Sequence, residues 1–115
     1  MPTSDLTNVM IAAGAPEMSR SLSIHEAAED EISEAADFYD LENPGFGDVF
    51  INEVEKIIED IVMYPEAAPI IQGRVRRKTM TKFPFSLIYS VREAQIRMLA
   101  VAHHKRRPFY WRGRS

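Results

Sequence analysis

Two apolar stripes of helical period, separated only by Asn43-Pro44-Gly45, limit what this chain can fold into. In the first, Ala28, Ile32, Ala35, Ala36 and Tyr39 recur at i, i+4, i+7, i+8 and i+11, which predicts a helix over Glu26–Glu42. In the second, Phe50, Val54, Ile57, Ile58 and Ile61 share one side of a helix from about Phe46 to Met63, ended by Tyr64-Pro65. So short a break forces the two helices to pack antiparallel. Their shared seam then needs a further apolar surface to cover it.

The second half of the chain supplies that surface. Arg74–Met80 has strand character, Phe83–Val91 is rich in β-formers, and Gln95–Ala102 alternates before becoming wholly apolar. Arg92-Glu93-Ala94 is a tight connection, and Pro84 sits at a strand start, where a missing N–H is tolerated. Ser21–His25 alternates as a short strand ahead of the helices. The expectation is an α+β fold of order β-α-α-β-β-β, the helical hairpin lying on one face of an antiparallel sheet.

The length of 115 residues suits one domain. Residues 1–20 are rich in Ser, Thr, Pro, Gly and small residues without a sustained period, and read as a poorly ordered extension; residues 21–115 form the domain. Met18 is a plausible alternative start of translation, which a native mass showing Met1 or Pro2 at the terminus would exclude. No apolar run approaches the ~20 residues of a membrane span, and Asn8–Ala15 is too short and lacks the basic flank of a secretory signal. The absence of cysteine excludes disulfides and thiolate-bound zinc and suits a cytoplasmic protein.

The formal net charge of −3 hides a segregation of charge. Residues 1–73 carry sixteen acids against two bases, and residues 74–115 carry twelve bases against one acid. Either the halves neutralise each other across the fold, or the basic half faces nucleic acid or an acidic protein.

Four groups of residues could carry chemistry. The acids Glu26, Glu29, Asp30, Glu31, Glu34, Asp37 and Asp40 lie at metal-binding spacing, but with no interleaved histidine they read as a solvated helix face. His25, between strand and helix, reads as structural. Arg74, Arg76, Arg77 and Lys78 form either charges guarding a sheet edge or an anion-binding patch suited to the guanidinium fork. The tail AVAHHKRRPFYWRGRS is the richest. His103 there could be a general acid or base beside arginines, or a hydrogen-bonded anchor; Phe109, Tyr110 and Trp111 could stack on bases, but packing against the domain is the simpler use.

The blocks EAADFYDLENPGFGDVF, YPEAAP, VRR, FPFSLIY and LAVAHHKRRPFYW, in this order over Leu22–Arg114, resemble the RelE/ParE superfamily of toxins from type II toxin–antitoxin modules. The resemblance implies a growth-inhibiting protein held by a cognate antitoxin, meeting DNA only indirectly through that complex. It implies no cofactor and no metal. RelE-like members cut messenger RNA on the ribosome; ParE-like members poison DNA gyrase by binding. The ribonuclease branch commonly has an arginine just before the positions of Leu87, Ile88 and Tyr89, where this chain has Ser86, and its second helix is more basic than one carrying Lys56 among Glu53, Glu55 and Glu59. FPF followed by SLIY, and the pattern H-x-[KR]-R-x-P-x-x-W from His103, look like the ParE branch. Binding residues are then expected at Arg76, Arg77, His103, Arg106, Arg107 and Trp111, on a gyrase-binding surface. The alternatives are a ribosome-dependent endonuclease using His103, Arg77 and Arg106, and a degenerate member that binds its antitoxin without harm.

Overall fold

His25 starts the first helix by capping it. Its Nδ1 accepts a hydrogen bond from the Ala27 N–H at 3.0 Å, filling one of the donors a helix start leaves unpaired. The computed structural model describes residues 21–115, so the expected N-terminal extension, including Met18, lies outside the described residues. Strand β1 is Ser21–Ile24, helix α1 Glu26–Glu42 and helix α2 Phe46–Met63. Both helices run as the stripes predict.

The hairpin turn is held by Asp40. One carboxylate oxygen of this residue accepts the N–H of Gly45 at 3.1 Å and of Gly47 at 2.7 Å. A carboxylate near the end of α1 thus caps the start of α2, which Gly45 enters in the left-handed region (φ 91°) without a side-chain cap of its own. Gly47 marks the closest approach of the helices: a Cβ there would stand 2.5 Å from the Ala36 carbonyl oxygen.

The sheet has four strands after the helices, where three were expected. They are β2 Ile70–Gln72, β3 Val75–Thr79, β4 Phe85–Arg92 and β5 Gln95–His103, in the order β1-β5-β4-β3-β2. The additional strand, β2, is three residues long and pairs irregularly with β3, too short to show a period. The wholly antiparallel expectation is also corrected. β1 runs parallel to β5 (Ser21 opposite Gln95, Ile24 opposite Met98), while the other pairs are antiparallel. The chain makes its whole helical excursion between these two strands, the kind of long connection that parallel pairing requires.

The main core lies between the hairpin and one sheet face, where Ala28, Ile32, Phe50, Val54, Ile58 and Ile61 meet Leu87, Tyr89, Ile96, Met98 and Val101. Each of these is buried. A smaller cluster of Ile88, Leu99, Ala100 and Trp111 covers part of the other face. A bulge in β5 makes this possible. Ile88 pairs with Ala100 while Tyr89 pairs with Met98, so Leu99 is the extra residue, and Leu99 and Ala100 both join the smaller cluster. Alternation then resumes, with Val101 returning to the main core.

Candidate functional site

Beyond β5 the tail folds back over the sheet face opposite the helices. Arg106 N–H donates to the His103 carbonyl at 3.0 Å to start the turn, and Trp111, 5% exposed, packs with Ile88, Leu99 and Ala100. Phe109 takes a left-handed conformation (φ 61°), which a bulky residue adopts only where its surroundings hold it. Its ring lies against Trp111, and its carbonyl accepts the Arg112 N–H at 2.9 Å.

The tail is fastened by Glu31. One oxygen of this carboxylate accepts from the Val101 N–H at 2.9 Å and from Arg114 Nη1 at 3.1 Å; the other accepts from the Tyr110 hydroxyl at 2.8 Å and from Arg114 Nη2 at 3.0 Å. Arg114 Nη1 also donates to the Leu99 carbonyl at 3.0 Å. These backbone groups lie on the outer edge of β5, past Met98, where pairing with β1 stops. A helix carboxylate and a tail guanidinium therefore replace the missing strand. Burial pushes the Tyr110 hydroxyl well above the usual tyrosine range, and the hydrogen bond and charge of Glu31 push it further. For Arg114, burial alone would lower the pKa, but the bond and charge of Glu31 outweigh it and raise it.

Between tail and sheet lies a cleft of about 320 Å³, lined by Arg77, Ser86, His103, His104, Arg106 and Arg107 among others. Ser86 Oγ donates to Thr79 Oγ1 at 3.3 Å and lies 3.1 Å from His104 Nε2, an arrangement in which that nitrogen is the donor. His103 Nδ1 accepts from the Lys105 N–H at 3.0 Å, and its ring meets Phe85 edge-on at 5.0 Å. The neutral ring of His103 then carries its proton on Nε2. The Arg106 guanidinium stacks 3.8 Å above the Tyr110 ring. Arg77 and Arg107 are exposed.

Four of the six expected binding residues, Arg77, His103, Arg106 and Arg107, thus line one cleft with cationic or hydrogen-bonding groups. The other two are placed differently. Arg76 Nη1 donates to the carbonyls of Glu66 (2.8 Å) and Ala68 (2.7 Å), because strand alternation turns it away from Arg77 and toward the loop after α2. Trp111 lines the cleft but is buried, so it supports the surface from beneath. Tyr110 packs against the domain, the simpler of its two expected uses, but Glu31, read as part of a solvated helix face, is largely enclosed, and Arg114 was not singled out. The available signal was position, since Glu31 follows Ala28 by three residues and precedes Ala35 by four, on the border of the apolar stripe. Among the described residues, no group of three or more histidines and acids is placed to hold a metal ion, and no helix is long and apolar enough to cross a membrane.

A two-helix hairpin on one face of a mostly antiparallel five-stranded sheet, with a basic tail folded over the other face, defines an α+β architecture. One solved structure, the chromosomal ParDE toxin–antitoxin system from P. aeruginosa, superposes with a TM-score of 0.66 at 18% identity, over 73% of this chain and 95% of that one. The sequence profile of the ParE toxin of type II toxin–antitoxin systems (parDE) matches residues 22–108, and the chain belongs to that family. No curated protein matches.

Proposed function

We propose that the chain inhibits growth by binding DNA gyrase in the cytoplasm, without cleavage chemistry of its own, and is neutralised by a cognate antitoxin. The observation that carries this reading is the clamped tail. Glu31 and Trp111 hold the tail so that Arg106 and Arg107 stand beside Arg77 across one cleft. Guanidinium forks carried on a backbone that is held in place are suited to carboxylates or phosphates on a macromolecular partner, because less conformational entropy is lost on binding. The ParDE system supports an antitoxin partner, and the net positive charge of residues 74–115 favours an acidic segment of it.

A second reading has a specific observation in its favour: His103 shares the cleft with Arg77 and Arg106, the set a metal-independent cut of messenger RNA would use. Against it stands Ser86, engaged with Thr79 and His104, where an arginine would supply charge to the phosphate.

Gyrase supercoiling and DNA-cleavage assays, run beside translating ribosomes with mapped messenger-RNA ends, separate the readings. Inhibited gyrase with intact messenger RNA supports the first. Ribosome-dependent cuts without a gyrase effect overturn it, and inactivity in both assays identifies a harmless antitoxin-binding member. His103→Ala lowers activity by orders of magnitude if the ring transfers protons, and only modestly if it is a contact.

A further inference from the structure

We propose that a second cleft, at the opposite end of the same sheet face, binds the phosphodiester backbone of a single nucleic acid strand through Arg74, Arg92 and Arg97. This goes beyond the gyrase reading, which concerns the tail cleft, and beyond the expectation that DNA is met only through the antitoxin complex.

The cleft encloses about 770 Å³. Its floor is a row of paired residues, with Val75 opposite Ser90, Ser90 opposite Arg97, and Arg97 opposite Ser23. Arg97 is already oriented. Its Nη1 donates to Ser23 Oγ at 3.0 Å and its Nε to the main-chain oxygen of Ser115, the last residue, at 3.3 Å, which orients the guanidinium and leaves Nη2 for a ligand. Arg74, in the turn just before β3, and Arg92, the last residue of β4, are exposed at the rim. Arg114 also lines the cleft, but Glu31 and the Leu99 carbonyl occupy its fork. No Asp or Glu is among the described residues of the lining; Glu93, the nearest acid in sequence, sits in the β4–β5 turn outside it. Three guanidinium groups therefore face a solvent-filled space that no Asp or Glu side chain shares, Arg97 being bonded already to Ser23 and to the main-chain oxygen of Ser115.

The dimensions and the lining select the ligand. Strands β3, β4 and β5, at about 4.8 Å spacing, spread the three arginines over roughly 10 Å, more than one phosphate group can bridge and suited to successive phosphates. A peptide would need an apolar anchor, and the apolar side chains here are a half-buried Val75 and a Leu99 that is 4% exposed. No aromatic ring lines the cleft to stack on a base. The contacts that remain are to the backbone, so recognition is independent of sequence.

Anisotropy of the full chain with a labelled single-stranded oligonucleotide of mixed sequence, over about 50–200 mM salt, tests this. Arg74→Gln/Arg92→Gln is expected to weaken binding roughly tenfold or more at the low-salt end and to flatten the logarithmic salt slope by roughly 1.4, at about 0.7 per lost phosphate contact. Lys56→Gln/Lys82→Gln, which removes the same charge from the helical side where both lysines pair with Glu53, is expected to leave the slope unchanged. Failure to bind the strand overturns the proposal, as does an equal loss in both double variants. A polyglutamate peptide bound as tightly with the same arginine dependence also overturns it, assigning the cleft to an acidic protein. Thermal unfolding checks that each variant is folded, and Arg92→Gln alone, with half the slope change, provides a second reading. The assay contains neither gyrase nor ribosomes, so it stands or falls apart from the target of the tail cleft.

Discussion

Arg114 and Glu31, 83 positions apart, meet through two parallel hydrogen bonds of 3.0 and 3.1 Å, with side chains only 19% and 12% exposed. The pair ties the last residues of the chain to its first helix. Removing one partner leaves the other charge largely enclosed, so Glu31→Gln is expected to cost about 2–3 kcal/mol, somewhat less than for a fully buried pair. Urea unfolding of Glu31→Gln, Arg114→Gln and the double variant measures the coupling, and simple additivity would show that the two residues do not act together.

Tyr110 makes the clamp sensitive to alkali. Its pKa is raised on folding, so the folded protein holds the phenolic proton more tightly than the unfolded chain does. Stability is therefore complete below about pH 10, the unfolded value, and falls as pH rises above it. In Tyr110→Phe this alkaline loss is expected to be smaller. Residue-resolved NMR titration of the ring should place Tyr110 above the ordinary range, and Glu31→Gln should lower it only in part, because burial remains the larger cause.

The tail cleft separates support from contact. Trp111→Ala removes the cover of Ile88, Leu99 and Ala100 and is expected to cost about 3 kcal/mol. Arg107→Ala, at an exposed position, should leave stability within about 0.5 kcal/mol while weakening target binding. Paired denaturation and binding measurements check both, and a large stability loss from Arg107→Ala would contradict the geometry.

At the hairpin turn, Asp40→Ala is expected to cost about 1 kcal/mol through the lost cap of α2. Gly47→Ala should cost more, about 3 kcal/mol, because its new methyl meets the Ala36 carbonyl, which belongs to a helix backbone and cannot step aside. Chemical denaturation gives the order, and a benign Gly47→Ala would mean that the helices can separate at little cost.

The helices were legible in the sequence because a long period leaves many residues to agree; the stripes from Ala28 to Tyr39 and from Phe50 to Ile61 point inward as read. β2 was not, since three residues carry no period and its place depends on β3. Arg76 and Arg77 show the limit for the site. Adjacent arginines look equivalent in sequence, yet alternation in β3 sends one to loop carbonyls and the other to the cleft. Glu31 was hidden for a different reason: its partners, Tyr110 and Arg114, come from the far end of the chain, and only the folded sheet edge brings them together.

The Val101 amide, donated to Glu31 rather than to a neighbouring strand, is a gauge built into the molecule. Amides that β5 shares with β4 exchange their hydrogen for deuterium only when the sheet opens, whereas this one is released whenever the clamp lets go. The difference between the two protection free energies reads the docking equilibrium of the tail directly, in the unmodified protein and without any knowledge of its target.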